Sequence, residues 1–222
     1  MSLSGLSALS GLSAVTNRYS PLETSLVEWW DADDLSGSDA DPIGTWTGKK
    51  GNGATQGTAD YKPLLKTNIW WTHKAVRFDG VDDYLLTTIA PGSAGTILVA
   101  YLPQDIYSSS TILGAGLWDG AHGHNHYLVL GQYDTGWQVG GRVGRQFQDT
   151  IQGGAKIKNM DHYFAALLWD ASNVKLRLNG KEVYSGARDA CAVPGHTLSI
   201  GATHDNEYFY SPNQCDICQV LI

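Results

Sequence analysis

His122-Gly123-His124-Asn125-His126 sets three imidazoles at alternate positions of one short segment. On an extended backbone alternate residues share a face. The three rings can therefore converge on one ion, as neutral imidazole does with zinc, nickel or copper. A structural zinc site closes with four ligands, however, and the flanking glycines read as a loop in which ordinary polar histidines suffice. Trp118, between Gly116-Leu117 and Asp119-Gly120, is a candidate surface aromatic beside them. Together Trp118, His122, His124, Asn125 and His126 offer a stacking face and hydrogen-bonding groups of the kind that hold a sugar ring.

Three cysteines, Cys191, Cys215 and Cys218, are an odd number and exclude a complete disulfide framework. Cys215-x-x-Cys218 needs a tight turn to grip a metal, yet Cys218 lies in an apolar run with Ile217 and Val220. One thiol is therefore expected to face a core and the other to sit in the preceding loop. Inert thiols, a disulfide between two of the three, and zinc held with His196 and His204 stay open. No Gly-x-Ser-x-Gly elbow is present. Gly140-Gly141-Arg142-Val143-Gly144-Arg145 reads as a hairpin among strands, not a phosphate cradle. Eight tryptophans include two adjacent pairs, Trp29-Trp30 and Trp70-Trp71. In a strand such a pair sends one indole to each face, leaving one to stack on sugars or to anchor a protein partner.

The elements that must position these groups are strands. Residues 174–178 and 181–184 alternate apolar and charged side chains around Asn179-Gly180, the strongest short-range hairpin signal. Residues 76–78, then Asp79-Gly80, then 84–86 repeat the plan with an acidic glycine turn where the chain is expected to reverse. Similar short runs continue to Ile222, separated by Gly, Asn or Asp. Residues 31–68 are expected to form a long loop with one short strand around Trp46, and 162–169 to be strand rather than helix. The pattern is all-β.

Five segments in order carry a resemblance. They are Leu26-Val27-Glu28-Trp29-Trp30-Asp31-Ala32-Asp33-Asp34-Leu35, the loop from Trp46 to Gly53, Val76-Arg77-Phe78-Asp79-Gly80-Val81-Asp82-Asp83-Tyr84-Leu85, the Asn179-Gly180 hairpin, and 216–222. Together they resemble the laminin-G-like, concanavalin-A-like lectin and glucanase jelly roll, of the kind found in bacteriophage structural proteins. The resemblance implies a single jelly-roll β-sandwich over 21–222 whose first and last strands are neighbours. It also implies calcium oxygens at Asp31, Asp33, Asp82 and Asp83, with Asp34 nearby, although acidic turn residues equally serve local hydrogen bonds. Several glucanases share this fold and carry Glu-x-Asp-x-x-Glu on one strand, supplying the two carboxylates that glycoside hydrolysis uses. The chain has only Glu23, Glu28, Glu182 and Glu207, and none begins that motif. Glu28 and Asp31, three positions apart, would point to opposite faces of a strand. No catalytic residue is assigned, and a glycoside hydrolase is the least favoured reading.

Residues 1–20 form a separate arm. Leu3, Leu6, Leu9, Leu12 and Val15 recur every third residue among Ser, Gly and Ala. A period of three smears around an α-helix but fits a polyproline-II or 3₁₀-like path, each with three residues per turn. The arm cannot bury its own leucines, so it is expected to dock on a partner, the alternatives being an unstructured leader or a strand added to the chain's own sandwich. With a net charge of −7 and few basic residues, the chain offers no footprint for nucleic acid. It also has no apolar run long enough to span a membrane. Residues 1–16 lack Lys and Arg and do not read as a secretory leader. The expectation is a non-enzymatic phage virion protein made in the host cytoplasm. It would be a capsid decoration or tail-associated homo-oligomer, anchored to other virion proteins by its arm. The alternative is a carbohydrate-binding, lectin-like adhesin, including one on a bacterial cell surface. No cofactor is required beyond the calcium that the resemblance implies.

Overall fold

The computed structural model describes residues 25–105, 110–116, 127–133, 138–144, 150–187, 196–204, 209–210 and 213–222. In chain order the strands are β1 (Trp29–Asp31), β2 (Thr45–Thr47), β3 (Gly53–Thr55), β4 (Leu64–Trp70), β5 (His73–Asp79) and β6 (Leu85–Leu86). Next come β7 (Gly95–Pro103), β8 (Ser110–Gly116), β9 (Tyr127–Tyr133), β10 (Gln138–Gly144), β11 (Thr150–Lys156) and β12 (Tyr163–Trp169). The last are β13 (Asn173–Leu178), β14 (Lys181–Ala187), β15 (Ser199–Ile200), β16 (Thr203–His204), β17 (Phe209–Tyr210) and β18 (Gln214–Leu221). Two eight-stranded antiparallel sheets face each other. The first runs β14-β13-β12-β7-β18-β5-β4, with β1 also on β18. The second runs β11-β10-β9-β8-β15-β6-β3-β2. This is a jelly-roll β-sandwich, and its first and last strands pair, with Trp30 opposite Val220.

Alternation builds the core. In β13 the pattern of buried Val174, Leu176 and Leu178 against exposed Asn173, Lys175 and Arg177 is a strict period of two. Inward residues of the first sheet, among them Trp30, Phe78, Val99, Tyr101 and Leu167, meet Leu85, Ile112, Leu113 and Leu130 of the second. Asn179 and Gly180 both have positive φ, 50° and 80°, as a two-residue hairpin turn requires. Of residues 162–169, all but His162 are strand, with β12 pairing β7 and β13.

Two expectations are corrected. The Asp79-Gly80 turn does not fold β5 back onto β6, because the two strands lie in different sheets. The turn is a crossover at the sandwich edge, and Gly80 there has φ of 79°. A Cβ on it would lie 2.8 Å from Gln214 Cβ and 3.0 Å from the Gln214 amide nitrogen. Residues 31–68 are also more regular than a long loop. Besides β2 around Trp46 they contain β3 and most of β4. The β4 pattern is hidden by irregular pairing with β5 between Lys66 and Trp70.

Glu28 organises the loop that follows β2. It is fully buried and accepts hydrogen bonds from the amides of Trp29, Lys50 and Asn52 and from the Asn52 side chain, at 2.7–2.9 Å. Burial alone would raise its pKa, but these donors outweigh that and hold it below the ordinary glutamate value. Gly48 is required beside it, since a Cβ there would come within 2.3 Å of the carboxyl. The resemblance-bearing loop is thus a structural clamp. It also lets Asn52 accept from Trp30 Nε1, while Asp31 O accepts from Trp46 Nε1.

Candidate functional site

On the outer face of the first sheet lies an open pocket of about 320 Å³. Its floor is made by β7 and β18. Opposite β7, β18 carries a bulge between Ile217 and Gln219, so that Gln219 rather than Cys218 faces Ala100. The extra residue breaks the alternation. Ile217 and Val220 point into the main core, while Cys218 packs outward with Ala75 and Ala100, and Gln219 lines the pocket beside it. A regular strand would have turned one of these two inward.

The β4–β5 hairpin makes one wall. Trp70 pairs with His73 across its tip, and Trp71 sits in the turn with φ of 56°. A bulky residue in the left-handed region is strained, at roughly 1–2 kcal/mol. Trp71 is nevertheless 84% exposed, the most exposed large apolar side chain among the described residues. Trp70 lies back against the aromatic cluster of β12, its ring centroid 5.0 Å from that of Phe164 and 4.4 Å from that of His162. Phe164 is held by Asn179, whose Oδ1 accepts from the Phe164 amide and whose own amide donates to Phe164 O. The hairpin turn legible in the sequence therefore fixes an aromatic of the pocket. Phe164 stays 48% exposed.

Polar groups occupy the other rim. Asp31 caps a 3₁₀ turn over Ala32–Asp34 by accepting from the Asp33 amide. Its Oδ2 accepts from Gln219 Nε2 at 3.1 Å and lies 3.4 Å from Lys49 Nζ. Lys49 also reaches Asp34 and stands 4.2 Å over the Trp29 ring. Asp33 accepts from the Lys74 amide at 2.8 Å and pairs with His73 Nδ1. Burial pushes against the Asp33 charge, but the Lys74 amide, His73 and the Lys74 ammonium together bring its pKa below the usual value. The Lys74 ammonium donates to Leu35 O. At the floor, burial and the neighbouring carboxylates push the Cys218 thiol up to about 12. It is therefore protonated and unreactive at neutral pH.

The residues singled out from sequence are placed as follows. Leu3, Leu6, Leu9, Leu12 and Val15 lie outside the described residues, and so do Trp118, His122, His124, Asn125, His126 and Cys191. Cys215 and Cys218 are both buried free thiols within β18. Cys215 belongs to the main core and Cys218 to the outer cluster. The expectation that one would lie in a loop is corrected, and on opposite sheet faces they cannot share an ion. Asp31 and Asp33 belong to the pocket. Asp82 and Asp83 instead join Asp79 at the crossover, with ligand oxygens within 4.8 Å of one another. Those oxygens serve the turn: Asp79 Oδ1 accepts from the Val81 and Asp82 amides, and Asp83 Oδ2 from the Asp79 amide. Three carboxylates alone fall short of the six to eight oxygens calcium takes. Of the tryptophan pairs, Trp30 is fully buried and Trp29 half-buried, as alternation predicts. β4 ends at Trp70 and Trp71 sits in the turn, so alternation stops between them and both indoles line the same pocket.

No protein-family model matches the chain, and no curated protein resembles it in sequence. Solved structures do share its fold. Trypanosoma rangeli sialidase in complex with sialic acid superposes with a TM-score of 0.63 at 12% identity, over 89% of this chain and 30% of that one. The same enzyme with the inhibitor DANA gives a TM-score of 0.57 at 13% identity, over 88% and 30%. The Ruminococcus gnavus IT-sialidase CBM40 bound to alpha2,3 sialyllactose gives 0.48 at 18% identity, over 59% of this chain and 75% of that one. The chain thus spans less than a third of the length of the sialidase chains it matches, and the likeness is one of fold. Among the described residues no helix is long and apolar enough to cross a membrane.

Proposed function

We propose that this sandwich is a non-catalytic carbohydrate-binding module and that the outer-face pocket is its glycan site. The observation that carries the reading is Trp71, a large apolar side chain held in a strained backbone conformation and left 84% exposed. Strain of this kind concentrates at ligand clamps. Trp71, Trp70 and Phe164 supply apolar faces for the C–H side of a sugar ring. Asp31, Asp33, His73 and Gln219 supply acceptors and donors for its hydroxyls. Ligand sites combine mainly apolar walls with a few placed polar groups in this way.

The charge balance favours an uncharged, hydroxyl-rich ligand. Asp31 is paired with Lys49 beside the pocket, and Asp33 with Lys74 and His73, so the lining has no excess of positive charge to hold an acidic sugar. Both carboxylates are committed as acceptors to protein donors, which suits holding a glycan rather than cleaving one. A glycan array probed with the whole chain tests this. Binding to neutral glycans that disappears with Trp71→Ala supports the proposal, and an array without any binder contradicts it. The expectation of a phage virion component rests on residues 1–20, which lie outside the described residues.

A further inference from the structure

A second cavity, about 500 Å³ and largely apolar, lies beyond the pocket at the end of the first sheet, where outward residues of β7 and β18 meet the edge of the main core. Leu98 and Leu221 are opposite each other in the β7–β18 register and make its floor. Ile89 and Pro91 of the β6–β7 connection and Trp169 wall it. The Trp169 indole is fixed by donating to Gly92 O at 3.0 Å and packs closely on β7, where a Cβ on Gly95 would stand 2.7 Å from its ring. Val27, 50% exposed, lies at the lip, and so does Ser25, the first described residue. The 24 residues before Ser25 therefore leave from the groove itself, and they carry the leucine repeat.

We propose that this groove receives the chain's own N-terminal segment, with leucines of the Leu3–Val15 repeat filling it. Two arguments select this occupant over a second copy or another protein. The ten steps from Val15 to Ser25 span up to about 35 Å, enough to turn and lie back along the groove. Covalent attachment through a short tether also gives the segment an effective concentration on the order of millimolar. A neighbouring molecule's arm has no such advantage. The Ser, Gly and Ala residues between the leucines are small enough to let the backbone approach the sheet. Residues Leu98 and Ala100 are successive outward positions of β7, so the docked arm would border the glycan pocket. The inference stands on the groove alone and does not depend on what the pocket binds.

The test uses the full chain carrying a benzophenone amino acid in place of Ser10, irradiated over a range of concentrations. The expected result is a monomeric cross-linked product joined within 89–98 or 221–222, in a yield independent of concentration. Leu6→Ser, Leu9→Ser and Leu12→Ser together should lower that yield by more than about tenfold, because each buried leucine is worth more than one decade in an equilibrium. Cross-links at the groove but between two chains, rising with concentration, would assign the groove to another copy's arm and overturn the proposal. Cross-links elsewhere on the sandwich, or none, would overturn it as well.

Discussion

Trp71 and Glu28 represent opposite uses of a single residue. Trp71 does nothing for the fold, since it is strained and mostly in solvent. Trp71→Gly should therefore leave stability unchanged or raise it by up to about 1 kcal/mol, as glycine relieves the positive φ. Thermal unfolding reads this, and glycan affinity measured on the same sample should fall by about 2 kcal/mol, roughly 30-fold, as for an interface tryptophan. Glu28→Ala should do the reverse. It strands three amides and the Asn52 side chain in a buried loop, at a cost of about 3 kcal/mol. In denaturant unfolding the midpoint should drop without any change at the pocket wall formed by Trp70 and Phe164. Residue type alone does not separate these roles: in the sequence Glu28 is weighed only as a catalytic carboxylate and set aside, and Trp71 is read as half of a strand pair. Burial and φ are what distinguish them, and neither is written in residue type.

At the scale of elements, the hairpin at Asn179-Gly180 was legible because a strict period of two flanks a turn dipeptide with a known backbone demand. The pairing of first and last strands followed from the resemblance. What was not legible is where regularity breaks, and those breaks build the site. The β18 bulge sends Cys218 and Gln219 to one face, and the irregular β4 ends in the Trp70-Trp71 turn. A pattern method reads each as noise. The Asp79-Gly80 crossover shows the complementary limit, since a glycine turn is visible in sequence but not whether the next strand returns to the same sheet. Gly80→Ala should lower stability by roughly 2 kcal/mol, combining positive φ with the close approach to Gln214. A thermal midpoint lowered by several degrees checks this.

For the whole molecule, the acidic crossover gives folding a pH signature. Burial and the Asp79 charge raise Asp83 from 3.8 to about 6. Between those values the folded state binds more protons than the unfolded one, so this group's contribution falls as pH rises and is lost above 6. A shift of this size corresponds to at most roughly 3 kcal/mol. Relative to wild type, Asp83→Asn should gain stability steadily from pH 4 to pH 7, as followed by thermal midpoints across that range. The aromatic pocket on the outer sheet face belongs to the same scale, because it needs β4, β5, β7, β12 and β18 together. Its central test is a tryptophan-fluorescence titration of the intact protein with neutral and with sialylated oligosaccharides, repeated for Trp70→Ala and Trp71→Ala. Saturable quenching by neutral sugars that weakens about 30-fold in Trp71→Ala is the predicted result. Equal affinity in wild type and both variants, or a response confined to sialylated sugars, would contradict the account.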